Sequence, residues 1–477
     1  MNILAIDQGT SATKALLVGP GQQVLGTGEA PVRPRATGDA IEVDPGELLA
    51  SVLAAGQAAL DAARAPADAV ALANQGETVL AWDRDTGAPL TRAISWQDRR
   101  SAGVCARLTG HASRLADITG LPLDPYFAAP KMTWLRENWT SAGVVTTTDS
   151  WLLARLGAGY VTDASTASRT MLLDLDSASW SPEACAVFGV DPEALPAVAD
   201  CAGVVGETSA FGGSLPVAGL AVDQQAALLA ERCFDPGQAK CTYGTGAFLL
   251  ATTGESAVRS AAGLSASVAW RLPSGTTYCL DGQVYTAGAA VSWLTDAGVL
   301  AGPQELDTVG GTVPDGGGAV FVPALAGLGA PYWRPDARGA FLGLTLSTSR
   351  AHLIRAAIDG LAASVALLAR SVALDTGAPL TTLRVDGGLT RSAVLMQAQA
   401  DLLQVPVEVC RVPDATALGV AALARLGLGA AASLPDAVGP ADVERIIEPR
   451  MSAAEAAERL AGFEAALSQV TGTGPAR

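Results

Sequence analysis

The chain has 477 residues, of which 49% are hydrophobic and 16% are charged, so it is long enough for two globular domains with separate cores. Its formal net charge of −16 argues against nucleic acid or an anionic membrane surface as a partner. Seven cysteines without CxxC spacing and only two histidines predict neither a disulfide framework nor a zinc site. Its first residues lack the pattern of a signal peptide, so we expect a cytoplasmic protein without membrane partners.

The first half of the chain alternates apolar runs with polar turns and helical patterns. The predicted strands are residues 3–8, 13–18, 24–30, 69–73 and 79–82. Small residues from Gly9 onward separate the first two strands, which predicts a hairpin. Asp44 and Pro45 predict the N-cap and first turn of an alanine-rich helix that ends near residue 64. A later helix is expected to be capped by Asp149 or Ser150.

The second half repeats the opening pattern. An apolar strand over residues 217–222 ends in Asp223, and a helical pattern follows it. Residues 239–243 and 247–252 then predict two strands around the turn Gly244-Thr245-Gly246. Residues 383–386 predict a strand that ends at Gly387-Gly388, and a helix from about Ser392 would direct its N-terminus at that turn. We expect two domains with related cores, residues 1–230 and 231–477, and a helical tail after about residue 433.

A polar turn interrupts the buried strand pattern at Gln75-Gly76-Glu77. Polar side chains at the end of a buried strand need partners, because an unpaired buried polar group costs roughly 1–3 kcal/mol. Taken alone, the motif is more often a turn whose polar groups are satisfied within the protein. The alternative is a pocket for a polyhydroxylated ligand, and the remaining motifs favour it.

The two glycine-containing hairpin turns, Gln8-Gly9-Thr10 and Gly244-Thr245-Gly246, open the two halves at matching positions. A single hairpin turn is usually only a turn, but two matched turns can hold phosphate oxygens from opposite sides of a cleft through backbone N–H groups and hydroxyls. Asp7 is placed to hold Mg²⁺, directly or through water. Lys14 could neutralise phosphate charge, although a solvated lysine explains it equally well. No P-loop sequence occurs.

Asp223 ends the strand that leads into the second half. A carboxylate at such a point can accept the proton of a substrate hydroxyl as that hydroxyl attacks phosphorus. A helix N-cap is the structural alternative, and both roles are chemically compatible with Asp223.

Together these motifs resemble the FGGY carbohydrate kinase family, and within it the glycerol kinases. The resemblance runs over nearly the whole chain, and its segments are residues 5–10, 96–100, 123–127, 167–172, 222–227, 242–246, 327–333, 339–344, 352–356 and 384–388. It implies two ribonuclease-H-like α/β domains of the actin-like ATPase and sugar kinase superfamily, with ATP in the cleft between them. It also implies a homo-oligomer, either a dimer or a tetramer.

The resemblance assigns roles to individual residues. It implies Asp223 as the catalytic base and Asp7 as the Mg²⁺ site. The implied substrate residues are Gln75, Gly76, Glu77, Trp96, Tyr126, Asp223, Gln224 and Phe248. The implied ATP-binding residues are Gln8, Gly9, Thr10, Ser11, Thr13, Lys14, Gly244, Thr245, Gly288, Ser292, Gly387, Gly388 and Ser392.

One departure from the family pattern bears on the substrate. Glycerol kinases carry arginine where this chain has Gly76, which removes a planar fork of donors and leaves room for a longer substrate. The resemblance therefore implies an ATP-dependent kinase of a short polyol, with glycerol as the leading candidate. A kinase of a tetritol, pentitol or ketopentose is the second interpretation, and a catalytically silent sugar sensor on the same fold is the third. The short loop over residues 207–216 predicts no inhibition by fructose bisphosphate.

Overall fold

The computed structural model describes residues 1–412 and 414–472 of the chain. Its strands, in chain order, are β1 (Ile3–Gln8), β2 (Ala12–Val18), β3 (Val24–Pro31), β4 (Arg35–Thr37), β5 (Ala40–Val43), β6 (Ala69–Asn74), β7 (Val79–Trp82), β8 (Ala93–Ile94), β9 (Val144–Thr147), β10 (Val161–Asp163), β11 (Leu173–Asp174), β12 (Ser179–Trp180), β13 (Ala197–Ala199), β14 (Ala202–Thr208), β15 (Leu215–Val222), β16 (Gln238–Tyr243), β17 (Ala247–Gly254), β18 (Ser265–Leu272), β19 (Gly275–Val284), β20 (Val320–Val322), β21 (Ala340–Leu342), β22 (Thr382–Asp386), β23 (Val407–Cys410) and β24 (Val443–Ile447).

Helices cover the sheets and connect their strands. In chain order they are α1 (Pro45–Ala63), α2 (Ala102–Arg107), α3 (Ala112–Thr119), α4 (Ala128–Asn138), α5 (Thr148–Leu156), α6 (Ala164–Ser168), α7 (Pro182–Phe188), α8 (Asp223–Ala230), α9 (Gly288–Asp296), α10 (Glu305–Thr308), α11 (Arg350–Thr376), α12 (Ala393–Leu403), α13 (Ala415–Gly427), α14 (Leu434–Val438) and α15 (Ala453–Thr471).

The first large sheet has six strands in the order β14-β15-β6-β1-β2-β3. Strands β1, β6 and β15 run parallel to one another, and their last residues Gln8, Asn74 and Val222 lie in register. The carboxyl ends of parallel strands meet at one edge of a sheet. The turn after Gln8, the polar turn after Asn74 and the carboxylate after Val222 therefore leave the sheet at the same edge.

The second large sheet has seven strands in the order β18-β19-β17-β16-β22-β23-β24. Strands β16 and β22 are parallel, and Thr242 pairs with Asp386. This pairing brings the turn after Tyr243 next to Gly387, whose φ is 97°. A Cβ at Gly387 would lie 2.4 Å from the carbonyl oxygen of Tyr243, so only glycine fits this approach.

The strands of the first sheet alternate their side chains between two cores. Leu4 and Ile6 of β1 belong to a core with α1, whereas Ile3 and Ala5 belong to a core with α13. Helix α13 comes from the second half of the sequence, and it packs closely because Gly219 of β15 leaves its backbone uncovered. A Cβ there would lie 2.4 Å from the carbonyl oxygen of Val420. The second half of the chain thus completes the core of the first sheet.

Helix α11 is the long helix of the second core. Among the described residues it is the one helix long and apolar enough to cross a membrane by length and composition, with a mean hydropathy of 1.6 in its apolar window. About 72% of that window is buried inside the protein. The buried core helix of a globular domain has the same length and composition, which explains the apolar sequence of α11.

The predicted strands and hairpins are confirmed, and Asp44 caps α1 by accepting from the N–H groups of Gly46 and Glu47. The predicted cap of α5 is wrong, and the alternative role of Asp223 as a helix N-cap is not observed. Helix α5 already begins at Thr148 after the N-cap Thr147, so Asp149 lies within its first turn. Asp223 is the first residue of α8 and Val222 is its N-cap.

The predicted helical tail after residue 433 is wrong in part. It contains α14 and α15, but β24 lies between them and pairs with β23 at the edge of the second sheet.

Candidate active site

A cavity of about 570 Å³ lies between the edges of the two large sheets. Thr10, Gln75 and Asp223 line it from the first sheet, and Thr245 and Phe248 line it from the second. The residues that the sequence placed in separate halves therefore share one space.

The polar turn after β6 places Glu77 in this cavity. Gly76 and Glu77 both have positive φ, at 66° and 40°, so the chain reverses sharply between β6 and β7. Glu77 is only 3% exposed, and it accepts a hydrogen bond from Arg169 Nε at 2.6 Å. Gly76 itself does not line the cavity, because its Cα faces Val222. A Cβ at this position would lie 2.7 Å from Val222 Cγ2.

Arg169 is a site residue that the sequence did not reveal. It lies in the cavity wall, and its Nη1 also donates to Asp281 Oδ2 on β19, so one guanidinium joins a carboxylate from each half of the chain. Burial raises the pKa of Glu77 and of Asp281, and the charge of Arg169 opposes both shifts. The signal in the sequence was that Arg169 lies within residues 167–172, one of the segments that resemble the family, although no site role was assigned to it.

Three aromatic rings form an apolar wall of the cavity, and the family resemblance implied all three of these residues as substrate residues. Trp96 meets Tyr126 and Phe248 edge to face, with ring centroids 5.6 and 6.3 Å apart. Such a wall can pack against the C–H groups of a carbon chain.

The loop that carries Tyr126 is fixed by a fully buried lysine, which sequence reasoning did not assign to the site. Lys131 Nζ donates to the carbonyl oxygens of Pro125, Tyr126 and Phe127 at 2.5–3.0 Å. Burial lowers the pKa of Lys131 to about 8, and nearby carboxylates, Glu77 first among them, oppose the shift.

Asp223 lies in the cavity at the start of α8, and its carboxylate accepts from the backbone N–H of Gln224 at 2.6 Å. Burial raises the pKa of Asp223 to about 6, while the charge of Lys240 acts against this shift. Lys240, another fully buried lysine, donates to Gln224 Oε1 at 2.5 Å and to Thr242 Oγ1 at 2.9 Å. The amide nitrogen of Gln224 is then the part of that side chain left for a ligand.

The first hairpin turn reaches the cavity through Thr10 and Ser11. Thr10 Oγ1 accepts from Trp96 Nε1 at 2.9 Å. The side chains of Gln8 and Thr13 are fully buried and bond within the protein, to the Gly9 carbonyl and to Ser51. Only their backbone groups remain available for the predicted contact with phosphate.

Lys14 is half-exposed, and its ammonium donates to Asp414 at 2.9 Å. This ion pair links β2 to the residue that immediately precedes α13. If Lys14 contacts a phosphate, its ammonium must either bond the phosphate and Asp414 at the same time or exchange Asp414 for the phosphate.

Asp7, the predicted Mg²⁺ residue, lies in β1 beside Lys14 of β2 and near Asp223, and it does not itself line the cavity. Burial, followed by the neighbouring carboxylate of Asp223, raises the pKa of Asp7 to about 8, and Lys14 opposes the shift. Within residues 1–412 and 414–472 no group of three or more potential metal ligands occurs. Mg²⁺ is commonly held by one or two carboxylates together with substrate phosphates and water, so this donor set suits Mg²⁺ bound with a nucleotide.

The second hairpin turn faces the first across the cavity. The N–H of Gly288 donates to the carbonyl oxygen of Gly244 at 3.0 Å, and a Cβ at Gly288 would lie 2.6 Å from the same atom. Gly244 and Thr245 line the cavity, whereas Gly288 supports the turn from behind. The glycines thus allow the close approach of the two backbone segments and leave the turn without a side chain at Gly244.

Two predicted ATP-binding serines do not reach the cavity. Ser292 is exposed on α9. Ser392 caps α12, and its hydroxyl donates to Asp307 Oδ1 at 2.7 Å. Asp307 also accepts from the backbone N–H groups of Ala393 and Val394, so the first turn of α12 is occupied by a carboxylate of the protein. Contacts of these serines with ATP stay a prediction.

The fold and the cavity together define the class of actin-like ATPases and sugar kinases, in which a nucleotide binds between two related α/β units. Comparison with known proteins gives the family. Residues 2–230 match the N-terminal domain of the FGGY family of carbohydrate kinases, and residues 239–428 match the C-terminal domain of that family. The chain belongs to the FGGY family of carbohydrate kinases, which confirms the resemblance inferred from its motifs.

Individual relatives are similar over nearly the whole chain. A glycerol kinase of Bordetella parapertussis is 43% identical over 94% of this chain and 92% of its own length. A glycerol kinase of Alkalilimnicola ehrlichii is 42% identical over 98% of both chains. The crystal structure of Plasmodium falciparum glycerol kinase with ADP matches with a TM-score of 0.92 and 29% identity, covering 98% of each chain.

Proposed function

We propose that this protein transfers the γ-phosphoryl group of ATP to a terminal hydroxyl of a short polyol, with glycerol as the leading substrate. The observation that carries the proposal is the position of Asp223. Asp223 lines a cavity that is also lined by Thr10 and Thr245 of the two hairpin turns, by Glu77 and by the aromatic residues. The similarity to glycerol kinases supports the choice of a polyol.

Each part of the cavity has a role in the proposed reaction. Glu77 and Gln224 bind hydroxyl groups, and the aromatic wall packs on the carbon chain. Asp223 accepts the proton of the attacking hydroxyl as the new P–O bond forms and the bond to the departing ADP breaks. A pKa near 6 leaves Asp223 ionised at neutral pH and still basic enough for this task.

The nucleotide end is assigned to the two turns. Thr10, Ser11 and Thr245 hold phosphate oxygens. Gly387 packs against Tyr243 at the start of the second turn, and Gly387 and Gly388 are assigned to the adenosine. Asp7 would hold Mg²⁺, which neutralises charge on the phosphates when bound. The proposed use of ATP agrees with a cytoplasmic location.

A second candidate substrate is a longer polyol or a ketopentose. Gly76 favours it, because this residue puts no donor into the cavity at a position where glycerol kinases carry arginine. Asp223, the phosphate turns and Glu77 are all present in the cavity, which favours a kinase over the silent sensor.

The test is release of ADP by the purified protein with Mg²⁺, ATP and one polyol or sugar at a time. We expect the wild type to turn over at least one of glycerol, erythritol, xylitol and xylulose. The Asp223→Asn variant should turn over none of them. If no member of this panel raises ATP consumption above the polyol-free rate, the kinase proposal is wrong and the sensor interpretation gains.

A further inference from the structure

The wall of the cavity continues beyond Glu77 and Asp223 onto β19 of the second sheet. Side chains alternate along a strand, so Asp281 and Gln283 point to the same face of β19. Both line the cavity, as does Tyr285, which directly follows the strand in the same alternation. None of these three residues is needed for the reaction proposed above.

Gln283 stands out because both polar atoms of its side chain are buried without a partner. The side chain is 2% exposed, and neither Nε2 nor Oε1 makes a hydrogen bond within the described part of the chain. Asp281 Oδ1 and Gln75 Oε1 are also buried and unpaired in the same cavity. Buried polar groups are nearly always paired, so a cluster of unpaired ones indicates a missing ligand or ordered water.

Gln283 lies beside the residues that are already assigned to the polyol. It lies directly opposite Phe248 on the neighbouring strand β17, so the amide adjoins the aromatic wall. Asp281 is fixed by Arg169, which also holds Glu77. The unpaired amide of Gln283 therefore lies in the same part of the cavity as the aromatic wall and Glu77.

The chemistry of a glutamine amide suits neighbouring hydroxyl groups. It offers two N–H donors and one carbonyl acceptor, and each hydroxyl of a polyol can both donate and accept. A carboxylate oxygen of Asp281 accepts from one more hydroxyl. Glycerol has three hydroxyls, of which one reacts and two are assigned to Glu77 and Gln224, whereas a polyol of four or five carbons carries one or two further hydroxyls that can bond Gln283.

We propose that Gln283, together with Asp281 and Tyr285, forms a subsite for the distal hydroxyl groups of a linear polyol of four or five carbons. The inference rests on the proposed kinase function and extends its substrate class. It predicts that the protein phosphorylates a tetritol or pentitol in addition to glycerol, and that Gln283 is needed only for the longer substrates.

The test compares Gln283→Leu with the wild type, using kcat/KM for glycerol, erythritol and xylitol. Loss of hydrogen bonds to a distal hydroxyl should lower kcat/KM for erythritol or xylitol by about 10–100-fold. The value for glycerol should stay within about threefold. The matched control is Gln57→Leu, a glutamine on the solvent side of α1, which should leave all three values unchanged.

Calorimetric binding of the same polyols to the nucleotide-free protein separates this inference from the kinase proposal. If xylitol or erythritol binds and Gln283→Leu abolishes the binding, the subsite is supported even if no polyol is phosphorylated. If glycerol is phosphorylated while longer polyols neither bind nor react, the subsite is wrong and the kinase proposal stands. An equal effect of the substitution on all three polyols, or no effect, also overturns the subsite and leaves ordered water as the partner of Gln283.

Thermal unfolding checks that the variant folds. Replacing an unpaired buried amide with an apolar side chain should leave the Tm of the ligand-free protein unchanged or raised. If Gln283→Leu does not fold, Gln283→Met, which keeps the length of the side chain, replaces it in the same experiments, with the same outcomes deciding.

Discussion

Arg169 donates from Nε to Glu77 Oε1 at 2.6 Å, and both side chains are only 3% exposed. The same guanidinium also bonds Asp281, so its removal would leave two buried carboxylates without a counter-charge. The residue that orders the polyol end of the cavity therefore also holds the two halves of the chain together.

Arg169→Met should strongly destabilise the protein. Breaking a buried ion pair by removing one partner typically costs about 3–5 kcal/mol, because the remaining charge stays buried. Urea unfolding at pH 7 measures the loss. The control is Arg107→Met, which breaks the exposed pair with Glu137 and should cost about 1 kcal/mol or less.

The pH dependence of the Arg169→Met deficit gives a second check. Without Arg169, burial would hold the pKa of Glu77 and Asp281 further above their values in the unfolded chain. Groups with a raised pKa in the folded state favour folding at low pH and lose that contribution as the pH rises. The difference in the free energy of unfolding between the wild type and Arg169→Met should therefore shrink towards pH 5. A difference that is constant with pH would contradict the electrostatic explanation.

Asp223→Asn should abolish phosphoryl transfer and leave the binding of ATP and polyol nearly intact. The amide keeps the shape of the side chain but cannot accept a proton, and general-base catalysis contributes roughly 10²–10⁴-fold. Steady-state kinetics measures the loss of kcat, and calorimetry measures the two binding constants. Activity within about tenfold of the wild type would remove Asp223 from the role of base.

Lys240→Met should move the pH profile of the wild-type reaction. Asp223 must be ionised to accept a proton, so kcat/KM should rise with pH through its pKa of about 6. The charge of Lys240 lowers that pKa, so its removal should shift the rising limb to higher pH. Thr242→Val removes one hydrogen bond of Lys240 and keeps its charge, so it should shift the limb less. An unchanged limb in Lys240→Met would mean that another group controls it.

The sequence predicted those parts of the fold that depend on local pattern. The strands around Gly9 and around Gly244-Thr245-Gly246 follow from apolar alternation and small turn residues, and the structure has both hairpins. Helix caps were less predictable. Thr147, Ser150 and Asp149 all have oxygens that can cap a helix, and the packing of β9 against β7 decides where α5 begins.

The site was predictable where a motif carries its own chemistry, as at Glu77 and Asp223. It was not predictable where function depends on a distant partner. Arg169 lies 92 residues from Glu77 and 112 from Asp281, and no local pattern joins them. Nothing in the sequence distinguishes Lys131 from other lysines in helices. Its role depends on three backbone carbonyls, to which its ammonium donates in the folded structure.

Gly76→Arg tests whether residue 76 controls the choice of substrate, and the structure changes how this should be done. The backbone of Gly76 is left-handed, and a Cβ would lie 2.7 Å from Val222 Cγ2, so a substitution alone is strained. Gly76→Ala should therefore lower the Tm without adding any donor. Val222→Ala removes the clashing methyl group, so the left-handed backbone is then the one remaining source of strain for an arginine at position 76.

In the Val222→Ala background, Gly76→Arg should raise kcat/KM for glycerol relative to xylitol by roughly 10–100-fold. The reason is that a charge-assisted hydrogen bond from a guanidinium to a substrate hydroxyl is worth roughly 1.5–3 kcal/mol, and each 1.4 kcal/mol is about tenfold. The same side chain would occupy space that a five-carbon chain needs, so activity on xylitol should fall. Val222→Ala alone is the matched control, since it widens the cavity without adding a donor. If the double variant folds, turns over ATP and ranks the two polyols as Val222→Ala does, residue 76 does not reach the substrate, and the selectivity must be set elsewhere in the cavity.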